Sequence, residues 1–161
     1  MNIEEILKDS KKIVITTHQS PDGDAIGSSL ALLGYLVKKG FDAKVVVPDS
    51  FPKFLKWMKG AENIHVYDYE KNIVKDLINE ADLIFSLDYN DLTRVGDVGD
   101  LIENSTAYKA MIDHHLHPAD FADWKCSDTS SCSTAQLIYN FIEYFNDLDL
   151  IDDQIAEGIY C

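Results

Sequence analysis

Short apolar runs that each end in an acidic or histidine-bearing cluster constrain this chain more than any other feature. Ile13-Val14-Ile15 leads into Thr17-His18-Gln19-Ser20-Pro21-Asp22-Gly23-Asp24, and Leu83-Ile84-Phe85-Ser86-Leu87 leads into Asp88-Tyr89-Asn90-Asp91. Ala110-Met111-Ile112 leads into Asp113-His114-His115. Such runs read as buried strands. Residues at helical spacing lie between them: Ile26, Leu30, Leu33 and Val37 before Gly40, then Ile73, Leu77 and Ile78. Alternating strands and helices predict an α/β fold. If the strands are parallel, their carboxyl ends share one edge, where open α/β folds place ligands.

That edge gathers at least four carboxylates and two or three imidazoles. So many like charges cannot share a site unless cations neutralise them. Mixed oxygen and nitrogen donors suit manganese or a similar first-row ion. Each segment also has a plain reading. Pro21-Asp22-Gly23 is a favoured turn sequence, and Asp88 or Asp91 can cap a helix. Adjacent His114 and His115 can face different ways on a loop, one toward a metal and one toward a substrate, with Asp113 orienting a ring. Three such clusters at three strand ends outweigh the plain readings taken singly.

Around this frame, Val45-Val46-Val47 reads as a strand stopped by Pro48, and Ile64 to Tyr67 as a minor strand. Pro52 opens a short helix through Phe54, Leu55 and Met58, and Leu92, Val95, Leu101 and Ile102 suit another, weakened by Gly96 and Gly99. Ala122 to Cys126 suits an edge strand. Ser131 or Ser133 caps a helix carrying Leu137, Ile138, Phe141 and Phe145, and a last helix starts near Asp152. His65, His117 and the lysines at 53, 56 and 59 read as structural, loop and solvated-face residues respectively.

Charge limits the partners. With 28 acidic and 14 basic residues the net charge is −14, so a broad basic face for nucleic acid is excluded. Arg94 is the only arginine, which leaves little forked recognition of phosphate. An anionic substrate then requires bound metal to supply positive charge. Cys126, Cys132 and Cys161 are odd in number and lack a C-x-x-C arrangement, which predicts reduced thiols and a cytoplasmic setting. No signal peptide or membrane-length apolar run is readable.

The residues Thr17 to Ser28, with Asp88 after an apolar strand and Asp113-His114-His115, resemble the DHH phosphoesterase family from about Ile13 to the last residue. Pro21-Asp22-Gly23-Asp24 is similar to the branch of bacterial oligoribonucleases that also dephosphorylate 3′-phosphoadenosine 5′-phosphate, and Ser130 to Ala135 resembles a serine-rich helix start of that branch. The resemblance implies a doubly wound, mostly parallel five-stranded sheet with helices on both faces, forming a catalytic domain over 1–161. It implies two manganese ions, with magnesium or cobalt as substitutes. By the family pattern His18, Asp22 and Asp88 hold one ion, while Asp24, Asp88 and His114 hold the other, and Asp88 bridges them. His115 faces the substrate phosphate and Asp113 supports it.

The family's fourth motif supplies a further aspartate, usually within Thr-Asp-Thr-Gly, after a helix resembling Ile155 to Tyr160. The expectation is a chain that stops short of that motif and of the substrate domain, and is inactive alone. Short oligonucleotides or small nucleotides are the implied substrates, with no membrane partner and with a homodimer allowed. A cyclic-dinucleotide phosphodiesterase, a receiver-like signalling domain and a non-catalytic nucleotide-binding module stay open as alternatives.

Overall fold

The computed structural model describes residues 2–161. A capping box starts α1 (Ile3–Asp9): the Asn2 side chain accepts from the Glu5 amide, and the Glu5 carboxylate accepts from the Asn2 amide. β1 (Lys12–Thr17) then runs into α2 (Gly23–Lys38), and β2 (Asp42–Val47) is followed by the two-residue β3 (His65–Val66). α3 (Lys71–Glu80), β4 (Leu83–Leu87), α4 (Asp97–Asn104), β5 (Tyr108–Asp113) and β6 (Trp124–Ser127) follow. The described chain closes with α5 (Thr134–Tyr144) and α6 (Asp153–Tyr160).

All six strands are parallel, in the order β3-β2-β1-β4-β5-β6. The expected five-strand count is one short. The short edge strands account for the difference, since β6 pairs only through Ala110↔Trp124 to Asp113↔Ser127 and carries no continuous apolar run. Alternate side chains of the strands feed two cores. Ile13, Ile15, Leu83, Phe85 and Leu87 pack with α1, α2, α5 and α6, whereas Val14, Val46 and Ile84 pack with α3 and α4. This is the two-sided burial that a parallel sheet requires.

Two local expectations change. The stretch read as one helix from Leu92 to Ile102 is broken at Gly96, whose φ of 55° lies outside the helical region, leaving a 3₁₀ turn at Leu92–Val95 ahead of α4. α1 carried no signal beyond its capping box and the apolar residues at 3, 6 and 7, all buried.

The order of the strands reverses between β1 and β4: from β1 the chain winds outward to β2 and β3, then returns to β4 on the other side. In open parallel sheets the ligand crevice lies at such a reversal, beyond the carboxyl ends of the two central strands. The helix over it, α2, is buried around most of its circumference, because α5 and α6 cover what the sheet does not. α2 and α6 meet backbone to backbone: a Cβ on Gly27 would lie 2.5 Å from the Gly158 carbonyl oxygen, and one on Gly158 2.7 Å from that of Gly27. Gly27→Ala therefore forces the helices apart and is expected to cost about 1–3 kcal/mol. Urea unfolding of the two proteins checks this; an unchanged midpoint would mean that the crossing gives way freely.

Candidate metal centre

His18 follows β1 directly and is buried, with its Nδ1 2.7 Å from the Gln19 carbonyl oxygen. A proton on Nδ1 satisfies that bond and leaves Nε2 as a lone-pair donor, 3.4 Å from Asp88 Oδ2. The loop beyond is pinned by its backbone. The Gln19 amide donates to the Arg94 carbonyl at 2.8 Å, and the Ser20 amide donates to Asp49 Oδ1 at 2.7 Å. Asp22 caps α2, its Oδ1 accepting from the Ala25 amide at 3.1 Å. The turn reading and the ligand reading of Asp22 are thus compatible, since capping occupies one carboxylate oxygen.

Asp88 stands at the end of β4, only 2% exposed, with a φ of 63°. A non-glycine residue in that region is uncommon, although aspartate tolerates it better than most. The backbone is held there by the Asp88 amide donating to the Ile112 carbonyl at 3.2 Å and by the fully buried Tyr89. The Tyr89 hydroxyl lies 2.7 Å from both Thr16 Oγ1 and Ser86 Oγ, which joins the two central strands. Burial pushes that phenol up to about 12, so it stays neutral. Asp91, as expected, caps the following 3₁₀ turn and leaves Asp88 free.

At the end of β5 the adjacent histidines do diverge. The fully buried Asp113 accepts from His115 Nδ1 at 2.7 Å and from the His115 amide at 3.0 Å, which fixes the ring and leaves Nε2 unoccupied by that pairing. His114 Nε2 instead lies 3.5 Å from Asp88 Oδ1 and 3.6 Å from Asp24 Oδ2. His65 pairs with Glu70 at 2.9 Å, and His117 sits on an exposed loop, so neither joins the centre.

The least expected part is the amino end of α5. The Thr134 amide donates to Asp24 Oδ2 and the Ala135 amide to Asp24 Oδ1, each at 2.8 Å, while the Thr134 hydroxyl donates to Asp88 Oδ1 at 2.9 Å. One helix start therefore grips two of the carboxylates. Ser133, the N-cap of α5, was legible as a cap; the role of Thr134 had no sequence signal beyond standing next to it.

The donors form two groups whose ligand atoms lie within 4.8 Å of one another: His18, Asp22 and Asp88, and then Asp88, His114 and His115. The first is the trio the family pattern assigns to one ion. The second places His115 where that pattern places Asp24. His115 Nδ1 is 3.9 Å from Asp88 Oδ1 but already donates to Asp113, whereas Asp24 sits beside His114. The electrostatics suit a cation. Burial, then repulsion from Asp88, pushes the Asp24 carboxyl above the usual carboxylate range, against the pull of the α5 amides. Its hydrogen bond to Asp88 pushes His18 upward. Carboxylates and imidazoles converging on one buried oxygen pair fit a divalent ion with mixed ligands.

Thr134→Val removes the hydroxyl that satisfies Asp88 Oδ1 while keeping the volume. It is expected to destabilise the metal-free chain by about 1–3 kcal/mol, the cost of an unsatisfied buried acceptor. Millimolar manganese should shrink that deficit. Thermal unfolding with and without the ion tests this, and an unchanged deficit would show that Asp88 does not face a cation.

Against known proteins, residues 12–161 match the model of the DHH family N-terminal domain. A bifunctional oligoribonuclease and PAP phosphatase of Thermus thermophilus is 32% identical over 142 residues, which cover 88% of this chain and 40% of that protein. A probable protein of the same description from Streptococcus mutans is 28% identical over 149 residues, covering 92% of this chain and 43% of that one. The crystal structure of an exopolyphosphatase-related protein from Bacteroides fragilis superimposes with a TM-score of 0.96 at 41% identity, over 98% of this chain and 46% of that one. The chain thus spans less than half the length of these relatives. With the family model matching residues 12–161, the chain belongs to the DHH family, as its N-terminal domain.

Proposed function

We propose that this domain is the catalytic part of a two-metal phosphoesterase acting on short oligonucleotides and on 3′-phosphoadenosine 5′-phosphate, with manganese as the working ion, in the cytoplasm. The observation that carries the reading is the position of Asp88. Its two oxygens face different imidazoles, Oδ2 toward His18 and Oδ1 toward His114, so one carboxylate serves both ligand groups. The names of the Thermus and Streptococcus relatives support the nucleotide substrates. No helix among the described residues is long and apolar enough to cross a membrane.

In this reading His18 and Asp22 hold the first ion with Asp88, and Asp24 and His114 hold the second. Bound there, the ions supply an activated water and offset charge on the attacking and leaving oxygens. The chain's own groups do the rest. The Nδ1 bond from His115 to Asp113 aims Nε2 outward, so a protonated ring can donate to a phosphate oxygen or to the departing one. Asp113 keeps that ring oriented. Thr134 and Ala135 hold Asp24 and Asp88 apart at a fixed spacing.

Asp88→Asn removes the shared charge and is expected to abolish hydrolysis in a protein carrying this domain with its substrate-binding partner domain. Activity within a few-fold of the parent at matched manganese would overturn the bridging role. The histidines should fail differently. His114→Ala should lose the second ion and recover partly with added manganese, whereas His115→Ala should keep both ions and turn over slowly. Metal content and rate on one substrate separate them, and swapped phenotypes would reverse the assignment. The 161-residue chain alone is expected to hold one ion at least tenfold more tightly than the second, and to hydrolyse little. Calorimetric titration with manganese checks this, and two tight ions with brisk turnover would contradict it.

A further inference from the structure

The segment after β2 has a construction that core packing does not explain. From Pro52 to Ala61 it is tied by bonds three residues apart: Leu55 amide to Pro52 carbonyl at 3.0 Å, Lys56 to Lys53 at 3.2 Å, Met58 to Leu55 at 3.2 Å and Ala61 to Met58 at 3.1 Å. Only Lys53–Leu55 is a 3₁₀ turn; turns and a bend carry the chain on to Gly60, whose φ is 95°. Leu55, Met58 and Ala61 are buried. Phe54 and Trp57 are 71% and 65% exposed. Lys53, Lys56 and Lys59 are all exposed. The buried residues are enough to anchor the segment, so the bare rings and the lysines need another cause.

Charge makes the lysines informative. Lys12, Lys38, Lys39, Lys44 and Lys125 each pair with a carboxylate, as a chain of 28 acidic residues would suggest. Among the described residues Lys53, Lys56 and Lys59 make no ion pair, nor do Lys8, Lys11, Lys71, Lys75 and Lys109; what sets the first three apart is that they stand together beside two exposed rings. Three cations beside two bare rings match the recognition of single-stranded nucleic acid, where bases stack on aromatics and phosphates follow a basic track.

The segment also starts at the metal edge. β2 lies beside β1 in parallel, so the chain leaves both strands at the same end. Asp49, four residues before Lys53, accepts from the Ser20 amide at 2.7 Å and so ties this segment to the loop that carries His18 and Asp22. A cavity of about 480 Å³, bordered by Ser50, Phe51, Lys56 and Tyr69, opens beside it. Asp152, Asp153 and Glu157 line a pocket together with Trp57 and Lys59.

We propose that the Lys53–Lys59 segment is a stacking platform for the part of an oligonucleotide that extends beyond the phosphate at the metal centre. Bases lie on Phe54 and Trp57, and the lysines follow the backbone. The inference rests on the phosphoesterase reading above and adds a length preference to it: nucleotides past the second gain affinity.

The test is binding of fluorescein-labelled, phosphorothioate-linked oligoadenylates of two and five nucleotides to the manganese-loaded chain, followed by anisotropy. The pentanucleotide should bind about tenfold more tightly than the dinucleotide. Phe54→Ala with Trp57→Ala should erase that gain and leave dinucleotide affinity within twofold, with unchanged thermal unfolding because both rings are exposed. Replacing all three lysines by alanine should lower the salt slope of pentanucleotide binding by about 2, at about 0.7 per phosphate contact. A dinucleotide that binds as well as the pentanucleotide overturns the platform, and so does failure of the pentanucleotide to bind, while manganese titration of the same chain tests the phosphoesterase reading separately. Equal losses for both lengths in the aromatic variant also reject the platform. A sedimentation shift of that variant with nucleotide affinities intact assigns the rings to self-association instead.

Discussion

The buried Asp88 carboxylate is the constraint around which the rest is arranged. At 2% exposure it cannot be solvated by bulk water, so each oxygen needs a partner supplied by the protein or by an ion. The fold delivers these from four directions: His18 from β1, His114 from β5, the Thr134 hydroxyl from α5 and, for the backbone, the Ile112 carbonyl. None of those groups is near Asp88 in sequence. The parallel sheet brings them together by placing β1 and β5 on either side of β4.

Beneath the carboxylate, the Tyr89 hydroxyl joins Thr16 to Ser86, paired residues of the two central strands. Its ring stacks on Phe121 at 6.1 Å. Above, the α5 amides hold Asp24, whose charge is favoured at a helix amino end. α5 and α6 are placed in turn by their packing on α2, and the Gly27–Gly158 crossing allows α6 to come close enough to cover it. Along this line a sequence detail far from the crevice, a glycine pair without side chains, bears on the geometry of a carboxylate within it.

Much of this was legible in the residues. The unbroken apolar runs of β1, β4 and β5 marked strands buried on both faces, and a cluster of ligand-type residues after each marked the functional edge. Gly40, at φ 89°, and Asp152, as the α6 cap, stood at helix limits for ordinary conformational reasons. What was not legible depends on contacts distant in sequence. Thr134 looked like any residue at a helix start, because its function comes from a carboxylate 46 positions earlier. The spacing of Lys53, Lys56 and Lys59 was visible, but a solvated face was the plain reading, because only the fold shows that Phe54 and Trp57 stay exposed beside them. The family resemblance put Asp24 in the second ligand group, whereas the side-chain geometry groups His115 with His114 and Asp88 and leaves Asp24 beside His114.

The central claim is that one aspartate is shared by two cations. Anomalous diffraction from crystals of the protein soaked in excess manganese tests it most directly, since the ions are located without reference to activity. The account predicts two peaks within coordinating distance of Asp88, one also touching His18 and Asp22, the other His114 and Asp24. A single peak, or a pair of which only one reaches Asp88, would contradict it.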